Sequence, residues 1–248
     1  MKQVTRAISQ VSPALWGSTR STSAGAVWHT PHMGLSASPF SFRDQLAFYG
    51  AYHTNRVNVG IHILCVPLIW MSTLGLVLQS GVSVTALVTR MPSVARSPVL
   101  HCLGELQNVV PAYAYPHLNV ASLVSLLYLT YYYVLDIPSA LLITPLWAGY
   151  YALARVGAEV LQGRSGPLLV VFVVSWLLQF YGHGVHEGRA PALLDNLLGA
   201  VVLAPLFVFV EVLFCFGYRP ELQRWLTKET GRLISAFRSQ RAAKPKAN

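Results

Sequence analysis

Two histidines, a glutamate and an arginine stand within seven positions at the end of a long apolar run. The segment QFYGHGVHEGR, residues 179–189, follows PLLVVFVVSWLL, which holds no charged side chain. Gln179, His183 and Glu187 are spaced four residues apart, and His186 lies three after His183. On a helix these side chains share one face. Imidazoles combined with a carboxylate form a ligand set that suits iron, zinc or manganese.

The same segment has a purely structural interpretation. In it, Glu187 pairs with Arg189, and both histidines sit among lipid headgroups at a polar helix end. The segment alone favours neither interpretation. Under the catalytic one, Glu187 and Arg189 are the predicted catalytic residues. Gln179 is then predicted to support a metal ligand by hydrogen bonding.

A second polar cluster lies in FYGAYHTNRVNVGIHILCVP, residues 48–67. His53 and His62 are nine residues apart, which is about 900° and places them on opposite faces of a straight helix. They share a site only if the helix breaks between them, and residues 54–58 supply a plausible break. Asn58 is predicted to orient His62, because it lies four residues before it. Taken alone, His62 is better explained as a histidine that a backbone carbonyl satisfies.

Glu211 is a third polar position, inside the apolar stretch APLFVFVEVLF. A carboxyl group in a membrane helix needs a partner or a proton. Glu211 is therefore a metal ligand, a hydrogen-bond acceptor that supports a metal-bound histidine, or a neutral core acid. The supporting role is the prediction we favour. Asp195 and Asn196 are predicted to cap the helix that carries Glu211.

The elements that position these residues are membrane helices. Of the 248 residues, 54% are hydrophobic and only 11% are charged, which is typical of a membrane protein. Roughly 20 apolar residues cross a bilayer as a helix. The chain is predicted to be an all-α, polytopic helical membrane protein with four or five transmembrane helices in one domain, residues 41–218. The predicted helices lie near 59–79, 119–136, 139–157, 167–183 and 197–217.

The two ends of the chain differ from this domain. Residues 1–40 contain basic, Ser and Thr residues and no acid, as expected of a disordered or targeting leader. Residues 219–248 form a basic tail with eight Lys or Arg and two Glu, a net charge of +6. Such a tail is predicted to touch anionic lipid headgroups. A nucleic-acid partner is not predicted, because no binding module accompanies the charge.

The remaining cysteines and histidines are predicted to be ordinary. The cysteines lie far apart without metal-binding or disulfide spacing, so they are expected to pack as small apolar side chains. Four histidines in the leader and in the proline-rich loop at 90–118 are predicted to lie on the surface. These residues are Cys65, Cys102 and Cys215, and His29, His32, His101 and His117.

Two distant motifs resemble the 2-hydroxy fatty acid dioxygenase family. The first has the form YH-x4-N-x3-H-x4-P, and the second has the form GH-x3-E, PA-x3-N and PLF-x3-E in succession. The likeness covers about residues 41–217. The residues that carry it are Tyr52, His53, Asn58, His62 and Pro67, then Gly182, His183, Glu187, Pro191, Ala192, Asn196, Pro205, Leu206, Phe207 and Glu211.

The resemblance implies an Fe(II)-dependent dioxygenase of fatty acid α-oxidation. Its substrates would be a 2-hydroxy fatty acid and O2, and its products the acid one carbon shorter and CO2. His53, His62 and His183 would bind the iron, with His186 as an additional candidate. Arg189 or Arg56 would receive the carboxylate of the substrate. The implied location is the endoplasmic reticulum membrane, and a mitochondrial membrane is the alternative. The alternative function is a non-catalytic lipid-binding or membrane-shaping protein.

Overall fold

The chain folds as a bundle of helices. The computed structural model describes residues 38–82, 119–188 and 196–243, and within these ranges it holds seven α-helices and no strand. The prediction of an all-α fold is confirmed. Two π-helical turns, Gly182–Glu187 and Leu198–Leu203, extend α5 and precede α6. The α-helices are α1 (Phe42–Tyr52), α2 (Arg56–Gln79), α3 (Val120–Leu135), α4 (Ile137–Leu161), α5 (Gly166–Tyr181), α6 (Ala204–Cys215) and α7 (Pro220–Ala243).

Four helical segments of the described chain are long and apolar enough to cross a membrane. They are α2, α4, α5 with its π turn (Gly166–Glu187) and α6 with the turn before it (Leu198–Cys215). The α3 helix is also apolar but has 16 residues, or about 24 Å, which is shorter than a bilayer core of about 30 Å. The prediction of a multi-pass membrane protein with four or five such helices is confirmed.

Short polar side chains set the helix boundaries. Asn55 begins α2, and its side chain accepts a hydrogen bond from Val57 N at 2.8 Å. Asp136 ends α3 and also caps α4 by accepting from Ser139 N at 3.1 Å. Asp136 alone separates α3 from α4, because Pro138 fits the first turn of a helix, where its missing N–H costs nothing.

The α2 helix lies at the centre of the bundle and packs against α4, α5 and α6. Trp70 of α2 stacks on Trp147 of α4 with their ring centroids 4.5 Å apart. The outer faces are apolar as well, and Val170 and Leu177 of α5 are 62% and 60% exposed. Large exposed apolar faces of this kind are stable in contact with lipid, not water. The outside of the bundle is therefore its lipid-facing surface.

The basic tail forms a helix that packs on α1. On α7, Leu222, Leu226 and Thr230 are buried. Gly50 of α1 allows the contact, since a Cβ there would lie 2.8 Å from Thr230 Oγ1. The positive charge of this segment is evident in the sequence, whereas the apolar residues that it buries were not predicted. Helix α7 thus supports the helix that ends beside His53.

Several predicted features lie outside the described residues. They include the leader up to residue 37, the proline-rich loop at 90–118 and the segment 189–195. The individual residues concerned are His29, His32, His101, Cys102, His117, Arg189, Pro191, Ala192 and Asp195.

Candidate metal centre

The break between α1 and α2 brings His53 next to His62. Helix α1 ends at Tyr52, and His53 has the non-helical backbone angles φ −124° and ψ 75°. Helix α2 begins only at Arg56. Across this break the centroids of the two imidazole rings are 4.5 Å apart. The helix break that the sequence predicted between the two histidines is therefore observed, at residues 53–55 instead of 54–58.

His183 reaches the same point from the far end of α5. Its ring centroid lies 4.9 Å from those of His53 and His62. One nitrogen of each ring lies within 4.8 Å of the others, so small side-chain movements let all three bind one ion. His62 and His183 are each 4% exposed, and His53 is partly buried. Among the described residues, these three form the group that could hold a metal.

Backbone carbonyls orient two of the three rings. His53 Nδ1 lies 2.8 Å from Tyr49 O, and His62 Nδ1 lies 2.9 Å from Asn58 O. A carbonyl can only accept, so each Nδ1 carries the proton and each Nε2 keeps a lone pair for a metal. Asn58 contacts His62 through its backbone oxygen, whereas its side chain donates to Glu187. The two interpretations of His62, as a histidine satisfied by a backbone carbonyl and as a metal ligand, are therefore compatible. A ligating imidazole binds the metal with one nitrogen and commonly donates from the other to such an acceptor.

The three imidazoles fit a first-row transition metal. Neutral imidazole binds Zn, Cu, Fe and Ni, and its softness matches these metals better than Mg or Ca. Three side chains also leave coordination positions open, as catalytic metal sites require. His186 is not brought into the group. Its ring packs edge-on against Tyr181 at 5.3 Å between centroids, since the π turn rotates it away from His183.

Glu187 ties the end of α5 to the α1–α2 break. Its Oε1 accepts from the backbone N–H groups of Thr54 and Asn55, both at 2.6 Å, and from Asn58 Nδ2 at 3.3 Å. Its Oε2 accepts from Thr54 Oγ1 at 2.8 Å. These contacts place a carboxylate at the N-terminus of α2, where the helix dipole favours negative charge. Glu187 therefore holds together the two segments that carry the histidines.

Gly182 lets α5 approach α2 at this junction. A Cβ at position 182 would overlap Asn58 Oδ1 and come within 3.3 Å of Ile61 Cδ1. Asn196, which precedes the π turn before α6, accepts from Gly199 N at 2.8 Å, as the predicted cap would. The close approach of α5 to α2 and the fixed start of α6 together enclose the histidines.

Glu211 is connected to His53 through Tyr49. Tyr49 donates its hydroxyl to Glu211 Oε2 at 2.9 Å, and its ring stacks on His53 with centroids 4.0 Å apart. Burial raises the pKa of the Tyr49 phenol well above its ordinary value, so the hydroxyl stays protonated and donates. Glu211 thus bonds to Tyr49 and not to a histidine, and its predicted supporting role stays a prediction. The sequence reasoning missed Tyr49, although it lies four residues before His53.

A cavity opens beside the three histidines. The open space beside the rings, including its mouth, measures about 520 Å³. Gln179 contributes an amide to its wall, one helical turn before His183. Sequence reasoning missed the other lining residues, whose types are common in any membrane helix. They are Phe48, Tyr49, Trp176, Phe180, Gly199, Ala200 and Ala204.

Comparisons with known proteins agree with this geometry. Residues 40–216 match the family model described as 2-hydroxy-palmitic acid dioxygenase Mpo1-like. The chain is 33% identical over 188 residues to the Saccharomyces cerevisiae protein named 2-hydroxy-palmitic acid dioxygenase MPO1, covering 74% of this chain and 86% of the yeast protein. No solved structure matches the chain. Because the family model covers most of the chain, from the start of α1 to the end of α6, this chain belongs to the Mpo1-like family.

Proposed function

We propose that this protein is an Fe(II)-dependent dioxygenase that converts a 2-hydroxy fatty acid and O2 into the fatty acid one carbon shorter, CO2 and water. The observation that carries the proposal is the meeting of His53, His62 and His183 beside a cavity with a largely apolar wall. The family and the name of the yeast relative support the substrate class and the type of reaction.

The proposed reaction balances without a second reductant. The bond between C1 and C2 breaks, C1 leaves as CO2, and C2 becomes the carboxyl carbon of the shorter acid. One oxygen atom and two hydrogens leave as water. All the electrons that O2 accepts come from C1 and C2 of the substrate. The proposal therefore requires neither a flavin nor a nicotinamide cofactor.

In this proposal the three histidines hold the iron, which supplies a centre for activating O2. The carbonyls of Tyr49 and Asn58 keep the imidazoles turned toward one point. The aromatic wall excludes water from the reacting head of the substrate. A preorganised site of this kind lowers the cost of bringing the reactants together.

The proposed roles of the predicted catalytic residues differ. Glu187 accepts hydrogen bonds from the α1–α2 break with both of its oxygens, which supports an anchoring role more than one on the substrate. Arg189 lies outside the described residues, and its contact with the substrate carboxylate stays a prediction. Arg56 is an exposed residue in the first turn of α2, at the side of the bundle where the histidines meet.

We further propose that the membrane is the endoplasmic reticulum, as the family resemblance implies. The four apolar segments support multi-pass insertion. The basic face of α7 is suited to a surface of anionic lipids. Imaging of a tagged full-length chain distinguishes this membrane from the mitochondrial alternative.

The experiment measures iron and product together. The protein is purified without O2, loaded with Fe(II) and supplied with 2-hydroxypalmitate and O2, and pentadecanoate is detected by mass spectrometry. We expect His183→Ala to lose bound iron and to lower product formation by more than about 100-fold, because loss of a ligand exceeds the effect of changing its hydrogen-bond partner. His53→Ala and a chelator should act in the same direction.

Val185→Ala is the matched control. Val185 lies in the same π turn as His183 but is 62% exposed on the lipid-facing side. We expect this variant to keep both iron and activity. Full activity of His183→Ala would refute the proposed centre. Wild-type protein that binds fatty acid but neither iron nor O2-dependent product would favour the lipid-binding alternative.

A further inference from the structure

Gln179 places a buried amide in the wall of the cavity. Its side chain is 7% exposed, and it lies four residues before His183 on the same face of α5. The cavity that it lines is also lined by His53, His62 and His183. Gln179 is the one amide side chain among the described residues that form this wall.

The Gln179 amide nitrogen is buried and has no hydrogen-bond partner within the described part of the chain. Buried polar groups in folded proteins are almost always paired, so an exception at a cavity needs an explanation. The Nε2 lone pairs of His53 and His62 could accept from the amide, but the proposed centre uses them to hold the metal. A ligand oxygen in the cavity would satisfy the amide.

The chemistry of an amide selects among the oxygens of the proposed substrate. A carboxylate only accepts hydrogen bonds, whereas a hydroxyl both donates and accepts. The unpaired Gln179 nitrogen is a donor, and the oxygen of the hydroxyl can accept its hydrogen bond. The carboxylate and the acyl chain are common to all fatty acids, so the 2-hydroxyl is the feature by which the substrate class is recognised.

We infer that Gln179 binds the 2-hydroxyl group of the substrate and selects 2-hydroxy acids over unsubstituted fatty acids, an inference that rests on the proposed function. A site built to hydrogen-bond a substrate hydroxyl discriminates strongly against the analogue that lacks it, because its own polar group is then left unpaired. Gln179 is a binding residue in this assignment and does not hold the metal.

The test is a binding experiment that needs no turnover. Full-length protein in lipid nanodiscs, loaded with Fe(II) and kept without O2, binds radiolabelled 2-hydroxypalmitate, and unlabelled 2-hydroxypalmitate or palmitate displaces it. We expect the wild type to prefer the 2-hydroxy acid by about tenfold, the worth of one hydrogen bond in a buried site. Gln179→Leu should lower that preference to near unity, through weaker binding of the 2-hydroxy acid alone.

Gln79→Leu is the matched control. Gln79 is also a glutamine whose amide atoms are buried without a partner in the described chain, but it is the last residue of α2. It lies 17 positions from His62, or about 25 Å along the helix. We expect Gln79→Leu to keep the wild-type preference. Iron content, measured in both variants, should match the wild type, because neither residue is a ligand.

Two outcomes overturn the inference. One is an unchanged preference in Gln179→Leu, and the other is equal affinity of the wild type for the two acids. Formation of pentadecanoate in the presence of O2 then decides separately whether the proposed function stands. Gln179→Met keeps the length of the side chain and removes the amide. If the leucine variant yields too little folded protein, the methionine variant must show the same loss of preference.

Discussion

The α1–α2 break and the end of α5 supply imidazoles to one point by different means. At the break, His53 and His62 each turn Nδ1 to the carbonyl four residues earlier, so the local backbone orients both rings. At the end of α5, His183 stands in a π-helical turn, and its position depends on how closely α5 approaches α2. One region is ordered locally, whereas the other is ordered by packing.

Because the two regions are ordered in different ways, their relative position depends on the contact that joins them, which is made by Glu187. Glu187 accepts hydrogen bonds from two backbone N–H groups and one hydroxyl of the break, all within 2.8 Å. Bonds from N–H groups to an ionised carboxylate are about twice as strong as neutral ones. Weakening this contact should separate His183 from the other two histidines while leaving each region folded.

The largest of the effects expected here follows from Glu187→Gln. The variant keeps the length of the side chain but places an N–H2 group, in place of one acceptor oxygen, against N–H and O–H donors. We expect metal affinity to fall by about 10–100-fold, the usual effect of disturbing the partners that position ligands. Anaerobic titration with Fe(II) measures the affinity, and hydrogen exchange should rise at the amides of Thr54 and Asn55.

Glu159→Gln controls for the loss of charge. Glu159 is 66% exposed on α4 and pairs with Arg155 one turn away. Surface pairs of this kind contribute little, so metal affinity should be unchanged. If Glu187→Gln also binds metal as the wild type does, the two regions keep their relative position without this contact, and the comparison between them fails.

A smaller effect is expected within the locally ordered region. Tyr49→Phe removes the hydroxyl that donates to Glu211 and keeps the ring that stacks on His53. We expect a loss of about 1–3 kcal/mol in stability, because the carboxyl group loses its donor. Metal affinity should fall by less than about tenfold, since the carbonyl of residue 49 still holds His53.

Thermal unfolding in detergent and Fe(II) titration measure these two quantities for Tyr49→Phe. Glu211→Gln and the double variant complete a cycle that isolates the energy of the pair. The double variant should be less destabilised than the sum of the single ones. A loss of metal affinity in Tyr49→Phe as large as in Glu187→Gln would show that the break is not ordered by its own backbone.

Much of the fold can be predicted from the sequence, because lipid imposes simple rules. A helix satisfies its own backbone hydrogen bonds, so a long uncharged run has few alternatives in a membrane. The first predicted membrane helix, 59–79, is observed as Arg56–Gln79. A break between His53 and His62 was also predicted from the sequence, although it was placed at 54–58 and the structure has it at 53–55. Tertiary geometry was not needed for either prediction.

Packing explains what the sequence did not reveal. Tyr49 and the aromatic wall of the cavity are residue types that occur throughout a membrane bundle, so their spacing carries no distinct signal. The buried face of α7 is obscured by the charges around Leu222 and Leu226. The π turns arise where helix ends adapt to their neighbours, and an α-helical spacing rule applied there gives wrong directions.

The direction of the His186 side chain is the clearest case in which α-helical spacing fails in a π turn. With α-helical spacing it shares a face with His183, but a π turn contains more residues per turn, so each residue rotates less and a side chain three positions on does not return to the face of His183. Glu187, four positions on, still faces the α1–α2 break. His186→Ala should therefore keep its iron and change activity by less than about twofold, as expected of a residue away from the site. Elemental analysis and the pentadecanoate assay measure both. A loss of iron comparable to that of His183→Ala would mean that four imidazoles share the centre and that the turn rearranges when metal binds.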